Sequence, residues 1–433
     1  MTRADVVLWG RRIGAVLWDP TRELATFEYV PEFSASGVEP APMTMPVRRG
    51  VYDFPSLPYS TFKGLPGLLA DSLPDKFGNA LIDRWLAEQG RAADSFDPVE
   101  RLCYTGRRGM GALEFEPATG ARREDGRPVD IAPLVELASR VLANREDLHG
   151  VIAGEDDEAA LQEILRVGTS AGGARAKAVL AWNETTGEFH SGQLKAGPSF
   201  TQWLVKFDGV DGNRDKELVD PQGFGRLEYA CALLAQDAGV MMSRCRLHEE
   251  GGRAHFMTQR FDRTENGGKL HMQSLCALRH FDFNVPRAYS YEQALETIRL
   301  LGLGADALRE QVRRAFLNVV IRNQDDHVKN VAFLMDRTGT WSLSPAYDVT
   351  YAYNPSGAWT SQHQMALNGK TDGFDADDLL ALARYADIKT GEARRMLLDV
   401  LSAAESWQTY VDMAAVPSVL AKGARAGFRM LSL

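Results

Sequence analysis

Cysteine is scarce in this chain, and its placement closes off two classes of protein. Cys103, Cys231, Cys245 and Cys276 are the only four in 433 residues, and no two stand as CxxC. Neither a zinc knuckle nor a disulfide framework is therefore expected, and the four read as reduced thiols in or near a core. No stretch approaches the roughly 18 consecutive apolar residues a membrane helix needs. The opening MTRADVVLWGRRIG carries charges where a signal peptide has its apolar run. The expectation is a soluble, cytoplasmic protein with no membrane partner. Positive charge is also short: 49 Lys and Arg against 58 Asp and Glu give a formal charge of −9. That is the wrong sign for a surface that neutralises duplex phosphates, so nucleic acid would be held by a more basic partner.

What is present is ordinary globular material, 45% hydrophobic and 25% charged, long enough for two or three cores. Through about Pro117, short β-type runs (ADVVLWG, IGAVLWD, ATFEYVP) alternate with turn residues. One helix interrupts them, GNALIDRWLAEQG, with Leu81, Ile82, Trp85 and Leu86 at helical spacing and Gly90 as its stop. PATGARREDGRPVD has almost nothing to bury and reads as a linker. Two helical patterns follow, IAPLVELASRVLANRE and DEAALQEILRV, and then the strands AKAVLAWN, GEFHSGQLKA, QWLVKFD, MSRCRLHEE and HFMTQRFD around the helix GRLEYACALLAQDAG. Beyond Asp262 long amphipathic helices dominate, with strand-like pieces at VAFLMD and TWSLS. The expected fold is α+β, a protein-kinase-like pair of lobes with an extra N-terminal β-rich subdomain and an all-helical C-terminal lobe. Its expected divisions are 1–127, 128–262 and 263–433.

Phosphoryl transfer requires cations or amides around phosphates, oxygen ligands for magnesium and a carboxylate beside the attacking hydroxyl. Kinase catalytic loops place an Asp five positions before an Asn, the relation of Asp325 to Asn330 in Asn323-Gln-Asp-Asp-His-Val-Lys-Asn330. His327 and Lys329 lie between them, and the hairpin-like VAFLMDRTGTWSLS leads to Asp348, a second metal carboxylate. The bland reading is that Asp325, Asp326 and Asn330 satisfy turn amides. Upstream, Gly168-Thr-Ser-Ala-Gly-Gly-Ala-Arg-Ala-Lys177 has small residues that admit phosphate to backbone amides, yet it is neither a Walker loop nor GxGxxG. A second lysine, Lys206, lies in an apolar strand like the Val-Ala-Ile-Lys strand of kinases, and Glu228 in the next helix is its expected carboxylate.

Together these stretches resemble the HipA toxins of bacterial toxin-antitoxin systems. The carriers are Ser170 to Lys177, Lys206-Phe, Gln259-Arg-Phe-Asp-Arg263, Asp325 to Asn330, Pro345-Ala-Tyr-Asp348 and the N-terminal Gly64-Leu-Pro-Gly-Leu-Leu-Ala-Asp-Ser-Leu-Pro74. The resemblance implies an ATP- and Mg2+-dependent serine/threonine protein kinase with Asp325 as base and Asn330 and Asp348 on the metal. It implies that Lys177 and Lys206 contact phosphates, with Gly172, Gly173, Ala174, His327 and Lys329 around the nucleotide and Gln259 and Phe261 at the adenine hinge. Relatives often carry Glu in place of Gln259, and their His-Gln-Glu-Asp stretch appears here as His271-Met-Gln-Ser. Autophosphorylation at Ser170 is implied, and a phosphoserine there would repel ATP phosphates. The implied partners are a HipB-like helix-turn-helix antitoxin, operator DNA through it, and a protein substrate such as an aminoacyl-tRNA synthetase, with growth arrest or persistence as the outcome. A small-molecule kinase of similar fold and a catalytically silent nucleotide-binding corepressor are the alternatives.

Overall fold

A computed structural model describes residues 1–119, 128–143, 163–165, 167–168, 175–192, 197, 199–210 and 222–433. The three N-terminal β-type runs become β1 (Arg3–Leu8), β2 (Arg11–Asp19) and β3 (Leu24–Tyr29). With β4 (Val51–Tyr52) and β5 (Leu113–Glu116) they form an antiparallel sheet ordered β4-β3-β2-β1-β5. In β2, Ile13, Val16 and Trp18 are buried while Leu17 faces out. The expected helix spans Lys76–Glu88, and Asp75 caps it by accepting from Gly78 N. Another helix, Pro98–Thr105, lies outside the sequence expectation. Its sequence signal is the capping box of Asp97 and Glu100.

The first helical pattern after the linker forms Ile131–Ala143; most of the second, and residues 120–127 of the linker, lie outside the described residues. The second sheet is antiparallel and ordered β7-β6-β8-β10-β9. Its strands are β6 (Lys177–Trp182), β7 (Phe189–Ser191), β8 (Thr201–Lys206), β9 (Cys245–Glu250) and β10 (Arg253–Gln259). Helix Phe224–Asp237 is tied to it by Asp208, whose carboxylate accepts from Gly223 N at 3.0 Å, Gly225 N at 3.2 Å and Ala254 N at 3.3 Å. A Cβ on Gly225 would fall 2.0 Å from the Ala254 carbonyl oxygen, so only glycine permits this approach.

The C-terminal lobe carries helices Tyr291–Leu300, Gly304–Ile321, Ala376–Tyr385, Thr390–Glu405, Trp407–Ala414 and Ser418–Gly427. It is not all helical. β11 (His271–Ser274), β13 (Ala332–Met335) and β14 (Trp341–Leu343) make a three-stranded sheet, and β12 (Tyr289–Ser290) pairs in parallel with β15 (Met365–Ala366). The N-terminal unit docks on β11: His271 Nε2 donates to Pro40 O at 2.9 Å, Gln273 Nε2 to Leu68 O at 3.2 Å, and Ser274 N and Oγ to Asp71 at 2.6 and 2.8 Å. This docking is the reason His271, Gln273 and Ser274 are buried without any apolar alternation. All four cysteines are free and buried. No helix of the described residues is long and apolar enough to cross a membrane.

Candidate active site

Antiparallel pairing of β6 with β8 sets Lys177 directly opposite Lys206. Two cations in register on neighbouring strands repel each other, and here both are buried, so the arrangement stands only if anions meet it. Three separate parts of the chain supply them. Lys206 Nζ reaches both Glu228 Oε1, from helix Phe224–Asp237, and Asp348 Oδ1, from the segment after β14. Lys177 Nζ lies 3.0 Å from Asp75 Oδ2, in the N-terminal unit. Arg175 Nη1 meets the second Glu228 oxygen at 2.9 Å. Burial alone would lower the Lys206 pKa, but Asp348 and Glu228 outweigh it and the ammonium is held above its ordinary value. For Lys177 burial wins over Asp75 and Asp348, and its pKa falls.

The lysine pair faces a cleft of about 1530 Å3 lined by Gln259, Phe261, Asp325, His327, Lys329, Asn330 and Asp348 as well as by Asp75, Arg175 and Glu228. Asp348 stands at φ 53, in the left-handed region. Asp tolerates that region better than most residues, and such a conformation persists where the surroundings enforce it. Here Lys206 grips its carboxylate, and Asn323 Nδ2 donates to its carbonyl at 3.2 Å. At the end of β10, Gln259 N donates to Arg244 O and Arg260 N to Gln202 O, each at 2.9 Å. The Phe261 ring packs 5.6 Å from that of Tyr347.

The adjacent aspartates of the loop have opposite fates. Asp326 is buried and accepts from Tyr291 Oη at 2.5 Å and Gln364 N at 2.7 Å. Its third partner is His363 Nδ1 at 2.8 Å. Arg429 Nη1, which can only donate, lies 2.9 Å from His363 Nε2, so the imidazole proton sits on Nδ1 and is given to Asp326. Burial would raise the Asp326 pKa, yet His363 and the other donors hold it below the usual value. Asp326 is thus an anchor. Asp325 instead keeps its side chain 34% exposed in the cleft. Trp359 Nε1 donates to its Oδ1 at 2.7 Å, and Asn330 Nδ2 donates to its backbone carbonyl at 2.8 Å. His327 caps the following turn, accepting from Lys329 N at 3.3 Å, and Lys329 Nζ lies 4.9 Å from the centre of the Phe283 ring.

The fold therefore gathers Lys177, Lys206, Gln259, Phe261, Asp325, His327, Lys329, Asn330 and Asp348 around one cleft. Ser170, Gly172, Gly173 and Ala174 lie outside the described residues. Sequence reasoning missed Asp75, Arg175, Trp359 and His363 as neighbours of these groups. Arg175 alone had a local signal, its place two residues before Lys177. For a divalent cation, the Asn330 and Asp348 oxygens are hard donors of the kind magnesium takes. Among the described residues no three His, Cys, Asp or Glu side chains cluster as a metal cage.

Comparison with known proteins returns one family twice. The family described as HipA N-terminal domain matches residues 4–116, and the one described as HipA-like C-terminal domain matches residues 169–408. Among solved structures, HipA of Shewanella oneidensis MR-1, from its complex with HipB and operator DNA, is 18% identical. It superimposes with a TM-score of 0.67 over 98% of this chain and 95% of that one. The Helicobacter pylori proinflammatory kinase CtkA is 12% identical with a TM-score of 0.33, over 52% of this chain and 90% of that one. The fold is α+β, with an N-terminal β-rich unit, and follows that of the Shewanella HipA over nearly the whole chain.

Proposed function

We propose that this chain, which belongs to the HipA family, is an ATP-dependent serine/threonine protein kinase and the toxin of a toxin-antitoxin pair. One observation carries the reading: a buried cross-strand lysine pair faces Asp325, Asn330 and Asp348 across a single cleft. In this reading Lys206, held by Glu228, contacts ATP phosphates, as does Lys177, while Gln259 and Phe261 border the adenine. Residues 128–262 form the smaller lobe over the nucleotide, 263–433 the larger lobe beneath it, and 1–127 the added unit.

Asp325 acts as general base. Its carboxylate takes the proton of the acceptor hydroxyl as that oxygen bonds to the γ-phosphorus, and the bond from phosphorus to the bridging oxygen breaks to release ADP. The Trp359 indole N–H engages one carboxylate oxygen and orients the group. Asn330 and Asp348 are the side chains that fit magnesium, which when bound supplies positive charge against the phosphates. Autophosphorylation at Ser170 would switch the enzyme off by placing a dianion in the loop that receives ATP. A HipB-like helix-turn-helix antitoxin is the proposed partner, consistent with the complex in which the Shewanella protein was solved. With a formal charge of −9, the chain would reach operator DNA through that partner. A translation enzyme such as an aminoacyl-tRNA synthetase is the proposed target.

Purified protein given γ-labelled ATP and magnesium is expected to label a bacterial lysate protein on serine or threonine and, in the absence of lysate, its own Ser170. Label passing only to small molecules would reassign the chain as a small-molecule kinase. Nucleotide binding with no transfer at all would make it a silent corepressor.

A further inference from the structure

The N-terminal unit docks on the C-terminal lobe through β11, and one of its carboxylates, Asp75, reaches the lysine pair inside the cleft. Asp75 closes the segment Gly64 to Pro74, and its side chain is 4% exposed beside a Lys177 side chain at 2%. Its two oxygens have separate duties. Oδ1 accepts from Gly78 N at 2.6 Å and caps helix Lys76–Glu88, while Oδ2 meets Lys177 Nζ at 3.0 Å. The backbone there is fixed from the same helix, since Asn79 Nδ2 donates to Pro74 O at 2.8 Å.

Docking does not depend on Asp75. Asp71 accepts from Ser274, Gln273 donates to Leu68 O, and Gly111 N donates to Asp262 Oδ2 at 2.7 Å, all independent of the lysine. Lys177, by contrast, stands opposite a second buried cation, which would push its ammonium away if no anion fixed it. Glu228 and Asp348 are engaged with Lys206. A carboxylate delivered by the N-terminal unit meets Lys177 Nζ at 3.0 Å. Burial raises the Asp75 pKa and lowers that of Lys177, so each charge draws its support from the other.

We propose that Asp75 is a positioning residue of the nucleotide site: it fixes Lys177 beside Lys206, so that the N-terminal unit completes the phosphate-facing wall of the cleft. The proposal rests on the kinase reading above. Asn caps helices about as well as Asp, so Asp75→Asn removes the charge while keeping the cap. Kinetics of the full-length chain are measured for the wild type, Asp75→Asn, Lys177→Met and the double variant, alongside the Kd of a non-hydrolysable ATP analogue with magnesium. Expected is a KM for ATP raised at least about tenfold in Asp75→Asn, with kcat within about threefold and an unchanged unfolding midpoint. The effect is expected to vanish in the Lys177→Met background. Asp75→Glu, which keeps the charge, is expected to recover part of the affinity, and it replaces Asp75→Asn should that variant fold poorly. A wild-type KM in Asp75→Asn, an equal rise with and without Lys177, or no recovery in Asp75→Glu relative to Asp75→Asn overturns the proposal. Should the wild type transfer no phosphate, the kinase reading fails instead, and the analogue Kd series still decides what Asp75 does.

Discussion

Two regions of this molecule bury several charges together, and they do so on opposite terms. At the seam between the N-terminal unit and the rest of the chain, Asp262 is gripped by Arg260 and Arg263 and by Gly111 N, with both guanidiniums also donating to Gly109 O. Burial alone would raise the Asp262 pKa, but the two guanidiniums drive it well below the usual carboxylate range. Both oxygens of the Asp262 carboxylate are taken up by these donors. In the cleft, the Asp348 side chain remains 32% exposed on a left-handed backbone, and Asp325 carries one indole donor in the open. Buried charge therefore does not mark a site by itself; partial access and an enforced backbone do.

The comparison can be broken at either end. The largest effect is expected at Asp325, where Asn should cost roughly 10²–10⁴-fold in phosphate transfer with the unfolding midpoint unmoved, because Asp326 holds the loop. Equal transfer rates in radiolabel assays of the two proteins would remove Asp325 from the chemistry. The seam should answer in stability: Asp262→Ala leaves two guanidiniums facing each other without their carboxylate and should cost about 3–5 kcal/mol in denaturant unfolding. A loss under about 1 kcal/mol would mean the seam ions are solvated.

Acid should act on the seam as well. Burial brings His271 down to about 4, with only its Nε2 bonded, to Pro40 O. Burial likewise brings His280, which accepts from Gly67 N at the same seam, to about 4. The unfolded chain takes up a proton near pH 6.5 and the folded one does not until about 4. Stability is therefore full above pH 6.5 and falls as pH drops through this window, by up to about 3 kcal/mol for His271. His271→Gln should flatten part of the midpoint-against-pH curve between pH 7 and 5; an unaltered slope would contradict the assignment. Smallest is Trp359→Phe, which removes one hydrogen bond to Asp325 and should lower kcat about tenfold, a loss of about 1–1.5 kcal/mol, without changing the KM for ATP.

What could be seen in the sequence follows the reach of local signals. The Lys206 to Glu228 contact was legible because an isolated lysine in an apolar strand demands a carboxylate, and the next helix offers one. The loop and Asp348 were legible through spacing and the hairpin between them. Asp75 with Lys177, Asp325 with Trp359 and Asp326 with His363 were not, since each joins residues brought together only by tertiary packing. β11 escaped for a related reason: it is buried by another unit, so His271-Met-Gln-Ser needs no alternation of its own. The Asp97 and Glu100 capping box was a local signal that announced a helix and passed unread.

Titration calorimetry of a non-hydrolysable ATP analogue with magnesium, on the full-length chain and on Lys206→Met, bears most directly on the two-lysine cleft. Saturable one-to-one binding that Lys206→Met weakens at least about tenfold is the predicted result. No binding by the wild type, or equal affinity in both proteins, would contradict it.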